Sequence, residues 1–131
     1  MDNVKLKEKI ILTISSILKE KNFVSPIEIL INIDVLSAKD LENWRHGRVQ
    51  YLEKVCKTNL SKLFFIMKEI RTYARLNNLK PSWTAYNQWG TKGRKIPLCF
   101  SKSEATEIEE AYATHFVVTS NALKKDNLET I

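Results

Sequence analysis

The chain lacks most of what small stapled or metal-bound folds depend on. Its two cysteines, Cys56 and Cys99, lie far apart and in no motif. Disulfide-dependent domains carry more of them, regularly spaced, so both thiols are read as reduced and the setting as cytoplasmic. His46, His115, Cys56 and Cys99 are isolated from one another, which leaves no zinc-type ligand spacing; neither a metal nor another cofactor is expected. Three glycines and three prolines in 131 residues are too few for a fibrous, low-complexity or linker-rich chain. No run approaches the ~20 apolar residues of a membrane helix. Lysines interrupt the apolar residues of Met1–Leu12, unlike the uninterrupted core of a signal peptide, so no membrane partner is expected. A nucleophile beside a base is also missing, and with it any catalytic motif. The most informative absence is of acid: from Ile70 to Ser103 there is no Asp or Glu.

What remains is an ordinary globular composition, 44% hydrophobic and 27% charged, in a length that suits one domain. The expected organisation is a compact domain over residues 1–118 and a polar, frayed tail over 119–131. The net charge of +6 is unevenly placed. Residues 54–103 hold eleven cations against the single acid Glu69, a net +10, while the rest of the chain is −4. Such asymmetry points to a polyanionic partner for the middle of the chain.

Hydrophobic periodicity predicts a helix over Val4–Lys21, with Val4, Ile10, Ile11, Ile14, Ile17 and Leu18 inward. Ser25-Pro26 and Ser37 start two short helices, the second carrying Leu41 and Trp44 and stopping at Gly47. A further helix is expected over Arg48–Lys57. Asn59 caps the longest, Leu60 to about Asn77, whose stripe of Leu60, Leu63, Phe64, Met67, Ile70 and Ala74 is the expected core. After Pro81, Ser82–Trp89 and Arg94–Phe100 read as two strands around Gly90-Thr91-Lys92-Gly93, a hairpin signal. Pro97 places the second strand at an edge. A last helix is expected over Ser103–Val117. The fold class is therefore α+β: mostly helical, with one β-hairpin packed on the helices, a winged-helix-like arrangement being one form of it.

The hairpin is the leading functional candidate. Arg71, Arg75, Lys80, Lys92, Arg94, Lys95 and Lys102 are interleaved with Tyr73, Trp83, Tyr86, Trp89 and Phe100. Cations neutralise phosphates and aromatic faces stack on bases. Period-2 order puts Trp83 and Trp89 on one face, at least one of them in the core, and Tyr86 on the other. The candidate nucleic-acid-binding residues are thus Arg71, Arg75, Lys80, Tyr86, Lys92, Arg94, Lys95 and Lys102, with DNA or RNA as partner. The alternative is a protein-interaction or regulatory module, anchored on an apolar patch through Trp44 and Tyr51. An enzyme would instead use a pocket lined by Glu109, Tyr112 and His115. Residues 25–46 have helix-turn-helix length, but Asp40 and Glu42 on the second helix repel phosphates and the long helix intervenes before any wing. The oligomeric state is left open.

Three stretches also resemble a family of small bacterial proteins with no established activity: Trp44-Arg45-His46-Gly47-Arg48-Val49-Gln50-Tyr51-Leu52-Glu53; Pro81-Ser82-Trp83-Thr84-Ala85-Tyr86 with Trp89-Gly90; and Phe100-Ser101-Lys102-Ser103 followed by Ile108-Glu109-Glu110-Ala111-Tyr112-Ala113-Thr114-His115-Phe116. The resemblance spans residues 24–117, implies a bacterial cytoplasmic setting, and supplies no site.

Overall fold

Local side-chain chemistry starts each of the first four helices in the computed structural model, which describes residues 2–119. Asp2 accepts from the Lys5 N–H at 2.9 Å and opens α1 (Asn3–Glu20). After the two-residue strand β1 (Phe23–Val24), Ser25 accepts from Glu28 at 3.2 Å, with Pro26 beginning α2 (Pro26–Asn32). Ser37 accepts from Asp40 at 3.1 Å at α3 (Ala38–Arg45), and Asn59 from Lys62 at 2.8 Å at α4 (Leu60–Leu76). Each oxygen satisfies one amide that the first turn leaves without an intrahelical partner. Gly47 follows α3 with φ +77, and a Cβ there would meet the Gln88 side chain at 2.6 Å. Conformation and close approach both demand glycine at this stop.

The chain continues through β2 (Lys80–Trp83), α5 (Thr106–Ala113) and β3 (Thr114–Val117). The result is the expected α+β class: among the described residues, five α-helices and a small antiparallel sheet of order β1-β3-β2. One hydrophobic cluster joins all of these layers. α1 contributes Leu6, Ile10, Ile14 and Ile17; Val4 and Ile11, expected inward, are exposed. α4 contributes Leu63, Ile66, Met67, Ile70 and Ala74 and packs on α1. Phe64, expected in this core, is 49% exposed, and Leu60 is exposed too. The true stripe runs i, i+3, i+4, i+7 from Leu63, and Phe64 lies one residue, about 100°, off it.

Three further expectations are corrected. Residues 48–57 form only a 3-10 turn at Leu52–Val55. Their amides are drawn to distant carbonyls: Leu52 donates to Cys99, Glu53 to Phe100 and Lys57 to Val35, at 3.2, 2.9 and 2.7 Å. The last helix ends at Ala113, and Thr114–Val117 becomes the central strand. β-Branched and aromatic residues suit a strand bonded on both sides, which outweighs the helical spacing. Finally, the hairpin shrinks to one bridge, Asn87↔Pro97, flanked by Gln88 N–H to Ile96 and Leu98 N–H to Tyr86, at 2.8 and 2.9 Å. Pro97 sits at a position where no ladder bond is required of its nitrogen. Beyond the bridge the arms turn elsewhere: Thr84 donates to Ala113, Trp89 to Arg45 and Phe100 to Glu109.

No helix among the described residues is long and apolar enough to cross a membrane. Of the tail expected over 119–131, only Thr119 is described; its hydroxyl donates to the Asn78 carbonyl at 3.2 Å. Residues 120–131 lie outside the described residues.

Candidate nucleic-acid interface

The burial of α4 sets its outward charge. The apolar stripe turns Leu63, Ile66, Met67, Ile70 and Ala74 inward, and the helix's one acid, Glu69, goes with them. Glu69 is 9% exposed and its carboxylate lies 3.9 Å from Lys7 of α1. The flank on the Phe64 side of that stripe then carries Lys68, Arg71 and Arg75, all exposed, at i, i+3 and i+7, which is one line along a helix. Among the described residues the ion pairs are Lys7–Glu69 and Lys21–Glu28, so this line is not neutralised by a paired carboxylate.

Arg71 and Arg75 flank a groove of about 420 Å³ between α4 and the sheet, floored by Ala74, Leu79, Pro81 and Phe116 and lined by no acid. Lys80 starts β2 beside it. Trp83, three residues on, is 66% exposed, where at least one hairpin tryptophan was expected in the core. Trp89 is 47% exposed as well. The indole that fills the core is Trp44, fully buried, with Nε1 donating to Cys99 O at 2.8 Å. Trp44 therefore cannot anchor the apolar surface patch that an interaction module was expected to present.

The eight candidate cations and aromatics do not share one surface. Arg71 and Arg75 belong to the α4–β2 face, whereas Lys80, one residue before Pro81, has its side chain on the other face of the sheet. Lys92, Arg94 and Lys95 are exposed at the loop tip, which docks on the end of α3: Trp89 N–H donates to Arg45 O at 2.6 Å, the Arg45 guanidinium lies 4.5 Å over the Trp89 ring, and His46 meets that ring edge-on. α5 intervenes. One of its sides faces Phe64, Met67 and Arg71 across a groove that also holds Glu107 and Glu110. Its other side faces Trp83, Asn87 and Pro97 across a second groove holding Glu104, Glu109 and Glu110. Lys102 is exposed in the loop just before this acidic helix.

Tyr86 is turned inward, contrary to its expected role as an outward stacking residue. Its hydroxyl shares a 2.8 Å hydrogen bond with His115 Nε2, and its ring contacts Trp44, Phe100 and the Arg45 guanidinium. Burial raises its pKa above the ordinary tyrosine value, with Ser25 and Arg45 opposing. Trp83 was named with the hairpin aromatics but not among the candidate binding residues; Lys68, and Arg45 and His46 beside the tip, were not singled out for nucleic-acid binding at all. The i, i+3, i+7 spacing could have found Lys68. Nothing local could have found Arg45 and His46, because their surroundings are set by pairing across the chain.

Glu109, Tyr112 and His115 do not form an acid–base site. The Glu109 carboxylate accepts from the Phe100 and Ser101 amides, each at 2.8 Å, and from the Ser101 hydroxyl at 2.6 Å. Tyr112 is buried and donates to Glu53 at 2.8 Å; burial and that carboxylate both raise its pKa. His115 stacks on Phe23, rings 5.7 Å apart. Cys56 and Cys99 are free. Burial pushes the Cys56 thiol up to about 12 and, with Glu109 adding to it, the Cys99 thiol up to about 11, so neither is poised as a thiolate. The described residues hold no group of three or more metal-ligating side chains.

Comparison with known proteins finds no matching family model, no similar curated protein and no similar solved structure.

Proposed function

We propose that this protein binds nucleic acid through the α4–β2 face. The observation that carries the reading is the outward line of Lys68, Arg71 and Arg75, left without an ion-pair partner on its own helix because Glu69 is folded inward, with the exposed Trp83 on the neighbouring β2. Cations fixed on a rigid helix can release counterions from phosphates together, and an exposed indole adds a stacking surface. The winged-helix comparison also fits α4 better than α3. α4 is the helix that runs directly into β2, and the sheet collects β1 from between α1 and α2 and β2 and β3 from after α4. α3 has Asp40 and Glu42 on it, which disfavour phosphate.

A salt titration tests this. The slope of log affinity against log salt is expected to be about −0.9 per duplex phosphate contacted, or about −0.7 per single-strand phosphate. Replacing Lys68, Arg71 and Arg75 together by Ala should flatten it by roughly two to three units, while the same treatment of Lys92, Arg94 and Lys95 leaves most of it. If the tip triple removes the slope instead, the interface is at the loop. If neither DNA nor RNA binds at low salt below about 100 μM, within the range of ordinary non-specific binding, the proposal fails.

A further inference from the structure

We infer that the nucleic acid taken by this face is single-stranded, with one unpaired base lying on Trp83; the inference rests on the α4–β2 reading above.

Register places Trp83. It pairs with Thr114, while the next residue, Thr84, donates to Ala113 at 3.0 Å. Trp83 therefore occupies a non-hydrogen-bonded position, where its own N–H and C=O point away from β3. β2 is the sheet's edge on that side, so both groups face open space and can meet the hydrogen-bonding edge of a base. A protein strand would fit this edge poorly. Pro81, two residues earlier and in the same orientation, has no N–H to offer an added strand.

The indole is equally open. Trp44 and Trp89 have ring or guanidinium partners, whereas no described ring or cation packs on Trp83, which is the most exposed of the three. Its side chain shares a face of the sheet with Pro81, Thr114 and Phe116, and Thr114 lines the groove beside Arg71 and Arg75. The two arginines are one turn apart, about 6 Å along the axis, comparable to neighbouring phosphates of an unstacked strand. The indole itself lines the neighbouring groove, with Glu104, Glu109 and Glu110, so the stacking platform and the phosphate contacts sit in adjacent grooves.

Two features disfavour a duplex here. Paired bases keep their faces inside the stack, so an indole could reach them only by wedging a step apart, whereas unpaired bases offer their faces freely. The cationic line is also narrow. Glu107 and Glu110 stand on the wall of α5 opposite Arg71, which suits one phosphate backbone and repels a second.

The test is fluorescence anisotropy with a labelled 12-mer of dT, a 12-mer of rU, and a blunt 12-base-pair duplex, all at the same low salt. One of the single strands should bind more tightly than the duplex. Trp83→Ala should weaken that single strand about 5- to 150-fold, the loss of one stacked base, with little change for the duplex. Trp83→Phe should recover part of the loss, and Trp89→Ala should leave binding unchanged. Circular dichroism will show W83A folded, since the ring is exposed. A duplex bound as tightly as either single strand, or a single strand indifferent to W83A, overturns the inference and leaves the α4–β2 reading in place. Absence of binding to all three probes overturns both.

Discussion

α4 and the segment from Thr84 to Ala105 are neighbours in sequence and equally basic, yet they are built by opposite means. α4 satisfies its backbone locally, starts at its own cap Asn59, and buries a stripe that any amphipathic helix of that spacing would bury. Residues 84–105 contain one bridge and little other regular structure. They are held by single bonds to side chains outside the segment: the Trp44 indole on Cys99 O, and the Glu109 carboxylate on Phe100 and Ser101. The lesson is that a helix face can be designed by spacing alone, whereas this loop is specified by a few buried anchors, each hard to replace.

Breaking the main anchor should have the largest effect. Trp44 is fully buried between Tyr86 and Phe100, with ring centroids at 5.9 and 5.0 Å. Trp44→Ala should cost about 3–5 kcal/mol in chemical denaturation and should expose the 84–105 amides to hydrogen exchange before those of α4. Uniform loss of protection in both regions would show that the two are one cooperative unit.

A smaller effect sharpens the same contrast. Glu109→Gln keeps the shape of the clamp but replaces one acceptor oxygen with an NH₂ group, leaving at least one of the Phe100 and Ser101 donors unmatched. The expected cost is about 1–3 kcal/mol, again read by urea denaturation. A change within a few tenths would mean that solvent replaces the clamp without penalty.

This contrast also explains how much was legible beforehand. The caps at Ser25, Ser37 and Asn59, the stop at Gly47 and the α+β class were readable because each depends on chemistry within a few residues. Phe64 was misplaced by one position on the helix because Leu60, Phe64 and Ile66 are all apolar, and the spacing alone did not choose among them. The 48–57 helix and the end of the last helix failed for another reason: Leu52, Glu53 and Thr114–Val117 bond to partners tens of residues away. For the candidate site, the cations of α4 were legible from spacing. The division between them and the Lys92–Lys95 tip was not, because it arises from α5 lying between the two.

The last prediction concerns the joint where the loop meets the sheet. His115 lies on β3, stacked on Phe23 of β1 and hydrogen-bonded at 2.8 Å to Tyr86 of the loop. Burial lowers its pKa below the ordinary histidine value; Glu28 opposes this and Lys21 adds to it. As pH falls through about 6.5, the unfolded chain takes up the proton first, so the unfolded state binds more protons than the native one. Stability that is fully present above this range is therefore lost as pH falls toward the native pKa. His115→Gln can still bond Tyr86 but does not titrate. The urea midpoint of the wild-type protein should drop more than that of the variant between pH 7 and pH 5, a modest difference because the imidazole is only partly buried. Carboxylates titrate alike in both proteins, so the difference isolates the histidine. Parallel pH profiles would show that the loop–sheet joint does not sense protonation, and that the hydrogen bond to Tyr86 tolerates the imidazolium as well as the neutral ring.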